Sequence, residues 1–234
     1  MTLNWQSLIS RTRTPLAGLA VCTLTVLLAA PFFDSTATGA ANPAPAAAGD
    51  DWELEFTPGP LRIYLDAKDG EAYWYFTYTV ANRTTRDRMW APRMELFTDD
   101  GKIMSSGRNV PTRVKLDIKK FLGDPLLEDQ NRIIGELLVG RENARNGLAV
   151  WPAKNLDTTE ITLFVGGLSS DFEMVKNPKT NKDVRLQKTL RREYMVPGNP
   201  LQRGSEPLIL IPRKNRRGPG CSTEFPKGGC WIFR

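Results

Sequence analysis

The 234-residue chain has 41% hydrophobic and 25% charged residues, which are ordinary values for a globular protein. Its length accommodates a targeting segment plus one all-β domain, or two small domains. The sequence contains no histidine, which excludes His-dependent catalytic triads and the usual zinc sites. Residues 212–234 contain six cationic residues and one acidic residue, Glu224, so most of the formal net charge of +6 lies in this segment. We therefore predict no nucleic-acid-binding domain, since such a domain would carry a basic face on its folded body.

The N-terminal segment has the pattern of an export signal. Arg11 and Arg13 precede an uncharged, apolar run from Pro15 to Phe33, which is long for a signal-peptide core and barely long enough to span a bilayer. Residues 1–33 are therefore predicted to be either a cleaved signal peptide or a retained transmembrane anchor, and both alternatives export the remainder of the chain. Residues 34–50 are rich in Ala and Pro and are predicted to be a linker.

The most informative stretch of the chain runs from Tyr73 to Val80. All of its residues are aromatic or β-branched, which favours a β-strand. Alternate side chains of a strand point to opposite faces; one face would carry Trp74, Phe76, Tyr78 and Val80, and the other Tyr73, Tyr75, Thr77 and Thr79. The first set is the more apolar, so we place it in the core, which requires a second layer to cover it. An inner strand and an aromatic platform for a ligand are the two interpretations of this stretch.

The segments around the aromatic strand show similar alternation. Residues 52–56 are predicted to be a strand that breaks at Pro58-Gly59-Pro60, and a second strand is predicted at 61–65. A strand through residues 94–97 is predicted to turn back at Asp99-Asp100-Gly101-Lys102, because Asp-Gly supplies the positive φ angles of a tight hairpin.

A helical pattern interrupts the strands. Apolar residues between Val114 and Leu122 are spaced by three and four positions, which predicts an amphipathic helix. Gly123-Asp124-Pro125 is predicted to end or kink this helix. We expect a short helical insertion here, followed by a return to β structure near Ile133.

The C-terminal half returns to short strands. A polar turn beginning at Gly140 is predicted to lead into a strand at 148–151, and further strands are predicted at 161–165 and 172–175. Residues 184–195 are predicted to be a solvated edge arm of a hairpin, because they carry many charges. The total of about eight to ten strands is typical of a sandwich.

Several of these motifs resemble exported immunoglobulin-like domains of uncharacterised bacterial envelope proteins. They are the aromatic strand followed by Asn82-Arg83-Thr84, the Asp-Asp-Gly-Lys hairpin, and the Gly140-Arg141-Glu142 turn before residues 148–151. The resemblance covers roughly residues 52–196 and implies an all-β, immunoglobulin-like fold. We therefore predict an immunoglobulin-like β-sandwich over residues 51–211, with the helix as an insertion. It also implies a place in the periplasm or cell envelope, and it carries over no active site.

Residues 212–234 are predicted to be a basic, disulfide-looped C-terminal tail. Cys221 and Cys230 are the only cysteines outside the export segment, and an exported pair meets an oxidising compartment. We expect them to form a disulfide that stabilises local order. The basic residues Arg213, Lys214, Arg216 and Arg217 are either a solvated tail or a contact for anionic lipid or wall polymer.

No phosphate loop, nucleophile elbow or calcium loop is present in the sequence, so no catalytic, cofactor-binding or metal-binding residue is predicted. We expect a non-catalytic exported or membrane-anchored protein whose sandwich binds protein or an envelope polymer, with membrane contact through the N-terminal segment. The alternative is an envelope hydrolase with a Ser-Lys or paired-carboxylate site. The available serines are Ser105, Ser106, Ser169 and Ser170, which lie in predicted turns where hydroxyls usually bond the backbone.

Overall fold

The computed structural model describes residues 51–212 and 221–234. The strands in chain order are β1 (Glu55–Leu65), β2 (Ala72–Asn82), β3 (Arg88–Trp90), β4 (Arg93–Thr98), β5 (Ile103–Ser105), β6 (Leu127–Asp129), β7 (Gly135–Leu137), β8 (Gly140–Pro152), β9 (Glu160–Gly166), β10 (Phe172–Lys176), β11 (Asp183–Met195), β12 (Ile209–Leu210), β13 (Thr223–Glu224) and β14 (Cys230–Phe233). Helix α1 (Thr112–Leu122) lies between β5 and β6, and a 3-10 helix (Pro200–Arg203) precedes β12. The predicted signal or anchor (1–33) and linker (34–50) lie outside the described residues. None of the helices in the described ranges is long and apolar enough to cross a membrane.

The strands form two larger sheets and one small ribbon. The first sheet has the order β1-β2-β8-β6, and the second has the order β13-β14-β11-β9-β4-β5, with β10 and β12 also paired to β11. Strands β3 and β7 form the separate ribbon. Neighbouring strands are antiparallel except for the short β6, which runs parallel to β8. The predicted all-β class is therefore confirmed in its coarse form, with one α-helix added to the sheets.

The main core consists of buried side chains from both sheets, and β2 supplies its centre. Trp74, Phe76, Tyr78 and Val80 are each at most 3% exposed and belong to this core. They meet residues of the second sheet such as Leu163. The predicted core face of the aromatic strand and its assignment as an inner strand are thus confirmed.

Helix α1 covers the opposite face of β2. Tyr73 and Tyr75 form a second buried cluster with Val114 and Ile118 of the helix. The helix ends at Gly123, whose φ of 64° is left-handed and whose N–H donates to the carbonyls at the end of the helix. The predicted helix and its end are confirmed, and its packing explains why aromatic residues occupy both faces of β2.

Ion pairs attach the first turn of α1 to the turn between β1 and β2. The Arg113 guanidinium lies 2.5 Å from Asp66 Oδ2 and 2.9 Å from Asp69 Oδ2. Burial alone would raise the pKa of the Asp66 carboxyl, but hydrogen bonds from the Lys68 N–H and from Arg113 outweigh it and hold that pKa below its ordinary value. The carboxylate therefore stays ionised and keeps the helix in place.

Strand β1 is continuous where the sequence predicted a break. Pro58-Gly59-Pro60 lies within it, and the pairing register with β2 shifts between Pro58 and Leu61, which marks a bulge. Proline is tolerated because β1 is at the edge of its sheet and needs donors on one side only. Glycine is required at position 59 because an added Cβ would lie 2.5 Å from the Thr77 carbonyl oxygen.

Two further predictions are corrected by the second half of the fold. The polar stretch from Gly140 is no turn but the first half of β8, which pairs with β2 as far as Asn82. Strand β11 is a solvated arm only in its first half, where it pairs with β10. From Leu190 onward it lies inside the second sheet between β9 and the C-terminal strands, because Leu190 and Tyr194 are core residues.

The described part of the C-terminal segment belongs to the second sheet. Strand β14 pairs with β11 from Lys188 to Arg191. Trp231 is 4% exposed, and its ring meets Phe225 edge-on with centroids 5.7 Å apart. The C-terminal strand therefore contributes to the main core.

Candidate functional site

One open cleft lies where β4 and β8 end and β2 begins. Its volume is about 320 Å³, at the lower end of the range for small-molecule sites. Its cationic residues are Lys102, Arg108 and Lys154, its apolar residues are Trp74, Ile103, Met104 and Pro152, and its neutral polar residues are Thr98, Ser105, Asn109 and Asn155. Both sheets contribute to these walls, so the cleft depends on the fold as a whole.

The loop after β5 is fixed by backbone hydrogen bonds to both sheets. The Ser106 N–H donates to the Met94 carbonyl at 2.9 Å, and the Gly107 N–H donates to the Val150 carbonyl at 2.8 Å. Asn109, the residue after Arg108, has a φ of 57°, a conformation that asparagine tolerates better than most residues. These bonds hold the backbone at Arg108 in one position beside the cleft.

The hairpin turn between β4 and β5 is fixed by two aspartates. Asp99 Oδ2 accepts hydrogen bonds from Thr159 Oγ1 at 2.6 Å and from the Thr159 N–H at 2.8 Å. Asp100 Oδ2 lies 2.7 Å from Lys102 Nζ and accepts from Asn155 Nδ2 at 3.1 Å. The turn thereby joins the start of β5 to the loop after β8. The predicted Asp-Gly hairpin is confirmed, with Gly101 at a φ of 83°.

Both aspartates are held in the ionised form. The Thr159 hydroxyl lowers the pKa of Asp99, an effect that burial opposes and backbone N–H groups reinforce. The Lys102 ammonium, followed by the Thr98 hydroxyl and the Asn155 amide, holds the pKa of Asp100 far below its ordinary value. A general acid requires a raised pKa, so these carboxylates serve as fixed hydrogen-bond acceptors.

The cleft has an excess of positive charge. Lys102 is paired with Asp100, whereas the side chains of Arg108 and Lys154 have no hydrogen-bond or ionic partner among the described residues. The Ser105 hydroxyl and the Asn109 amide are likewise without a partner within 51–212 and 221–234. This arrangement of unpaired donors beside apolar side chains is suited to binding an anion that carries an apolar group.

Of the four candidate serines, one lies on the wall of the cleft. Ser105 lies on the cleft wall, and the neighbouring Ser106 hydroxyl is buried without a partner among the described residues. Ser169 Oγ accepts from the Asp171 N–H at 3.1 Å, and Ser170 Oγ accepts from the Trp52 N–H at 2.9 Å. Ser169 and Ser170 therefore bond the backbone, which is the usual role of a turn hydroxyl.

The predicted cysteine pair is confirmed. Cys221 and Cys230 form a disulfide with their Cα atoms 5.6 Å apart. The basic residues Arg213, Lys214, Arg216 and Arg217 lie outside the described residues, so their contact with an anionic surface stays a prediction. The chain on either side of them is attached to the second sheet, since the Ile211 N–H donates to the Glu193 carbonyl at 2.8 Å and Cys230 pairs with Arg191.

Sequence reasoning does not identify the cleft residues as a site. In the sequence, Lys102 stands out only as part of a hairpin, and Arg108 and Lys154 do not stand out at all. The one available signal is that all three cations follow or flank predicted strand ends, where binding loops are common. Across the described ranges, no group of three or more acidic or cysteine side chains is placed to hold a metal ion.

Comparison of the chain with models of protein families, with curated proteins and with solved structures found no match.

Proposed function

We propose that this chain is an exported or membrane-anchored envelope protein whose non-catalytic β-sandwich binds an envelope polymer or a protein. The observation that carries the proposal is the cation-lined cleft, in which Arg108 and Lys154 lack partners among the described residues. Unpaired cations over apolar side chains are suited to binding, and the ionised, hydrogen-bonded Asp99 and Asp100 are poor proton donors.

The strand order supports an immunoglobulin-like sandwich. Immunoglobulin domains have the strands A-B-E-D in one sheet and C-F-G in the other, with C′ beside C in variable-type domains. The first sheet here corresponds to that A-B-E-D order as β1-β2-β8-β6, and the second contains β5-β4-β9-β11 in the C′-C-F-G order. The departures include the parallel pairing of β6 with β8, helix α1 before β6, the ribbon of β3 and β7, and the added strands β10, β12, β13 and β14.

The disulfide supports the proposed compartment. Disulfides such as Cys221–Cys230 are common in the periplasm and on the cell surface and rare in the cytosol. A fusion of residues 1–50 to a reporter that is active only outside the cytoplasm tests export directly. We expect an active reporter, and a silent reporter would refute the proposed location.

Binding is tested on the full chain purified from an expressing bacterium, by co-sedimentation with isolated envelope fragments. We expect the wild type to sediment and Arg108→Gln combined with Lys154→Gln to remain in solution. Lys179→Gln is the matched control, because Lys179 is an exposed cation in the turn between β10 and β11. Equal sedimentation of the wild type and the double variant would contradict a binding role for the cleft.

The second candidate is an envelope hydrolase that uses a serine and a lysine. It is favoured by one observation, that Ser105 lies on the cleft wall together with Lys102 and Lys154. A serine-reactive fluorophosphonate probe distinguishes the two proposals. Labelling that disappears in Ser105→Ala would favour the hydrolase, whereas a binding module should remain unlabelled.

A further inference from the structure

We propose that the cleft binds a phosphate monoester that carries an apolar group. This inference rests on the proposed function as a binding module and specifies its ligand. It is based on the balance of charge in the cleft, on the apolar side chains beside the cations, and on the fixed positions of the loops that carry them.

The charge balance favours a dianion. Three cations line the cleft, and Asp100 compensates one of them through its contact of 2.7 Å with Lys102 Nζ. Arg108 and Lys154 remain as two uncompensated charges. A phosphate monoester carries a charge of about −1.5 to −2 at pH 7, which matches both cations, whereas a carboxylate or a sulfate ester would leave one of them unmatched.

The remaining wall favours an apolar substituent. Ile103 is 62% exposed even though it is a large hydrophobic residue, and it lies in the cleft with Met104 and Pro152. An apolar group bound there would cover Ile103 and remove its side chain from water. A free inorganic phosphate would leave this part of the cleft exposed.

The backbone that carries the cationic side chains is fixed before a ligand arrives. The bonds from Ser106 and Gly107 to the two sheets fix the loop that carries Arg108, and the bond from Asn155 to Asp100 fixes the loop that carries Lys154. Little backbone order therefore has to be created on binding, so the main entropic cost is the ordering of the Arg108 and Lys154 side chains. The cations are exposed at the cleft mouth, so we expect binding to weaken as the salt concentration rises.

The test is calorimetric titration of the full chain with hexyl phosphate, hexyl sulfate, hexanol and inorganic phosphate. We expect hexyl phosphate to bind at least about tenfold more tightly than hexyl sulfate, since it makes one more charge-assisted contact. Arg108→Gln and Lys154→Gln should each weaken hexyl phosphate about tenfold, and the control Lys179→Gln should leave its Kd unchanged. Ile103→Ser should weaken hexyl phosphate more than it weakens inorganic phosphate.

The source of the phosphate is distinguished by two further ligands. Vesicles that contain phosphatidic acid present the monoester on a lipid, and a hexose 1-phosphate presents it on a sugar. Binding to the vesicles supports a lipid source. A hexose phosphate that binds more tightly than hexyl phosphate would refute the proposal that the ligand carries an apolar group.

Each remaining outcome decides one part of the proposal. Equal affinity for hexyl phosphate and hexyl sulfate would refute the proposal that the cleft prefers a dianion. If Lys179→Gln and Arg108→Gln weaken the binding of hexyl phosphate equally, the cleft is not the binding site. Such a result would show only a general attraction of anions to a basic protein. If none of the phosphates binds while envelope sedimentation still depends on Arg108 and Lys154, the ligand class is wrong and the proposed function stands. If sedimentation is also independent of these residues, both proposals fail.

Discussion

Gly147 should be intolerant of any side chain because the Tyr78 ring occupies the space above it. The two residues are partners in the pairing of β2 with β8. A Cβ atom added at Gly147 would overlap the Tyr78 ring and its hydroxyl. The ring cannot move away easily, since it packs against Phe56, Phe76 and Trp90 with centroids 5.4, 5.9 and 6.0 Å away. The substitution Gly147→Ala therefore forces a shift in the main core.

The size of the effect is set by two opposing contributions. Overpacking a well-packed core costs about 1–3 kcal/mol, while replacing glycine by alanine in an allowed conformation stabilises by about 0.4–1 kcal/mol. We expect Gly147→Ala to lower the free energy of unfolding by about 1–3 kcal/mol, because the overlap is with a buried ring. In a Tyr78→Leu background the overlap is removed, and the same change should be neutral or slightly stabilising.

Urea unfolding followed by tryptophan fluorescence measures the four free energies of this double-mutant cycle. The expected coupling between the two sites is about 2 kcal/mol. Gly166→Ala is the matched control, because Gly166 lies in β9 and an added Cβ there would meet its nearest neighbour, the Arg93 side chain, at an ordinary 3.6 Å. Equal effects of Gly147→Ala in both backgrounds would refute the reasoning.

Three further predictions concern the core and the C-terminus. Burial raises the pKa of Tyr78 above its ordinary value of 10.0, so the tyrosine loses its proton at a lower pH in the unfolded chain than in the folded protein. The free energy of unfolding should therefore fall above about pH 10. Tyr78→Phe should reduce that fall when urea unfolding is compared at about pH 9 and about pH 11. Equal pH dependence in both proteins would contradict the assignment. Trp74→Ala, which removes a side chain 1% exposed, should cost about 3–5 kcal/mol by urea unfolding, and a loss below about 1 kcal/mol would argue against its place in the core. Cys221→Ser should lower the free energy of the main unfolding transition by about 2–3 kcal/mol, since β14 belongs to the second sheet. If the main transition is unchanged and only a small separate transition appears, the disulfide stabilises the C-terminal segment alone.

Local patterns were sufficient to predict several elements. The alternation in β2 identified the face that lies in the main core, because that face is the more apolar one. It did not predict that α1 buries the opposite face. The spacing of apolar residues and Gly123 predicted helix α1 and its end, and Asp-Gly predicted the turn between β4 and β5. For the helix end and the hairpin turn, the decisive hydrogen bonds lie within a few residues along the chain, where sequence patterns are reliable.

The continuity of β1 and the first half of β8 were not predicted, because the turn-like residues in these strands have a different cause. Pro58-Gly59-Pro60 and Asn146-Gly147 are typical of turns, yet both lie within strands. Gly59 is required by the approach of Thr77, and Gly147 by the Tyr78 ring. Both contacts are made with a neighbouring strand of the sheet, β2, and periodicity within one strand contains no information about its neighbour.

The cleft was missed for a related reason, which also determines what its residues can do. Lys102, Arg108 and Lys154 are three of 32 Lys and Arg residues, and nothing in their local sequence distinguishes them from solvated surface charges. Only the topology places the loops after β4, β5 and β8 at one end of the two sheets, and only Asp100 determines which cation is compensated. Arg108 and Lys154 are exposed to water, so the lack of an ionic partner costs them little, and exposed cations elsewhere, such as Lys179, also have no partner among the described residues. What distinguishes Arg108 and Lys154 is their position beside the apolar walls of one cleft. Under the proposed function, an anionic ligand that carries an apolar group would contact the cations and the apolar walls together.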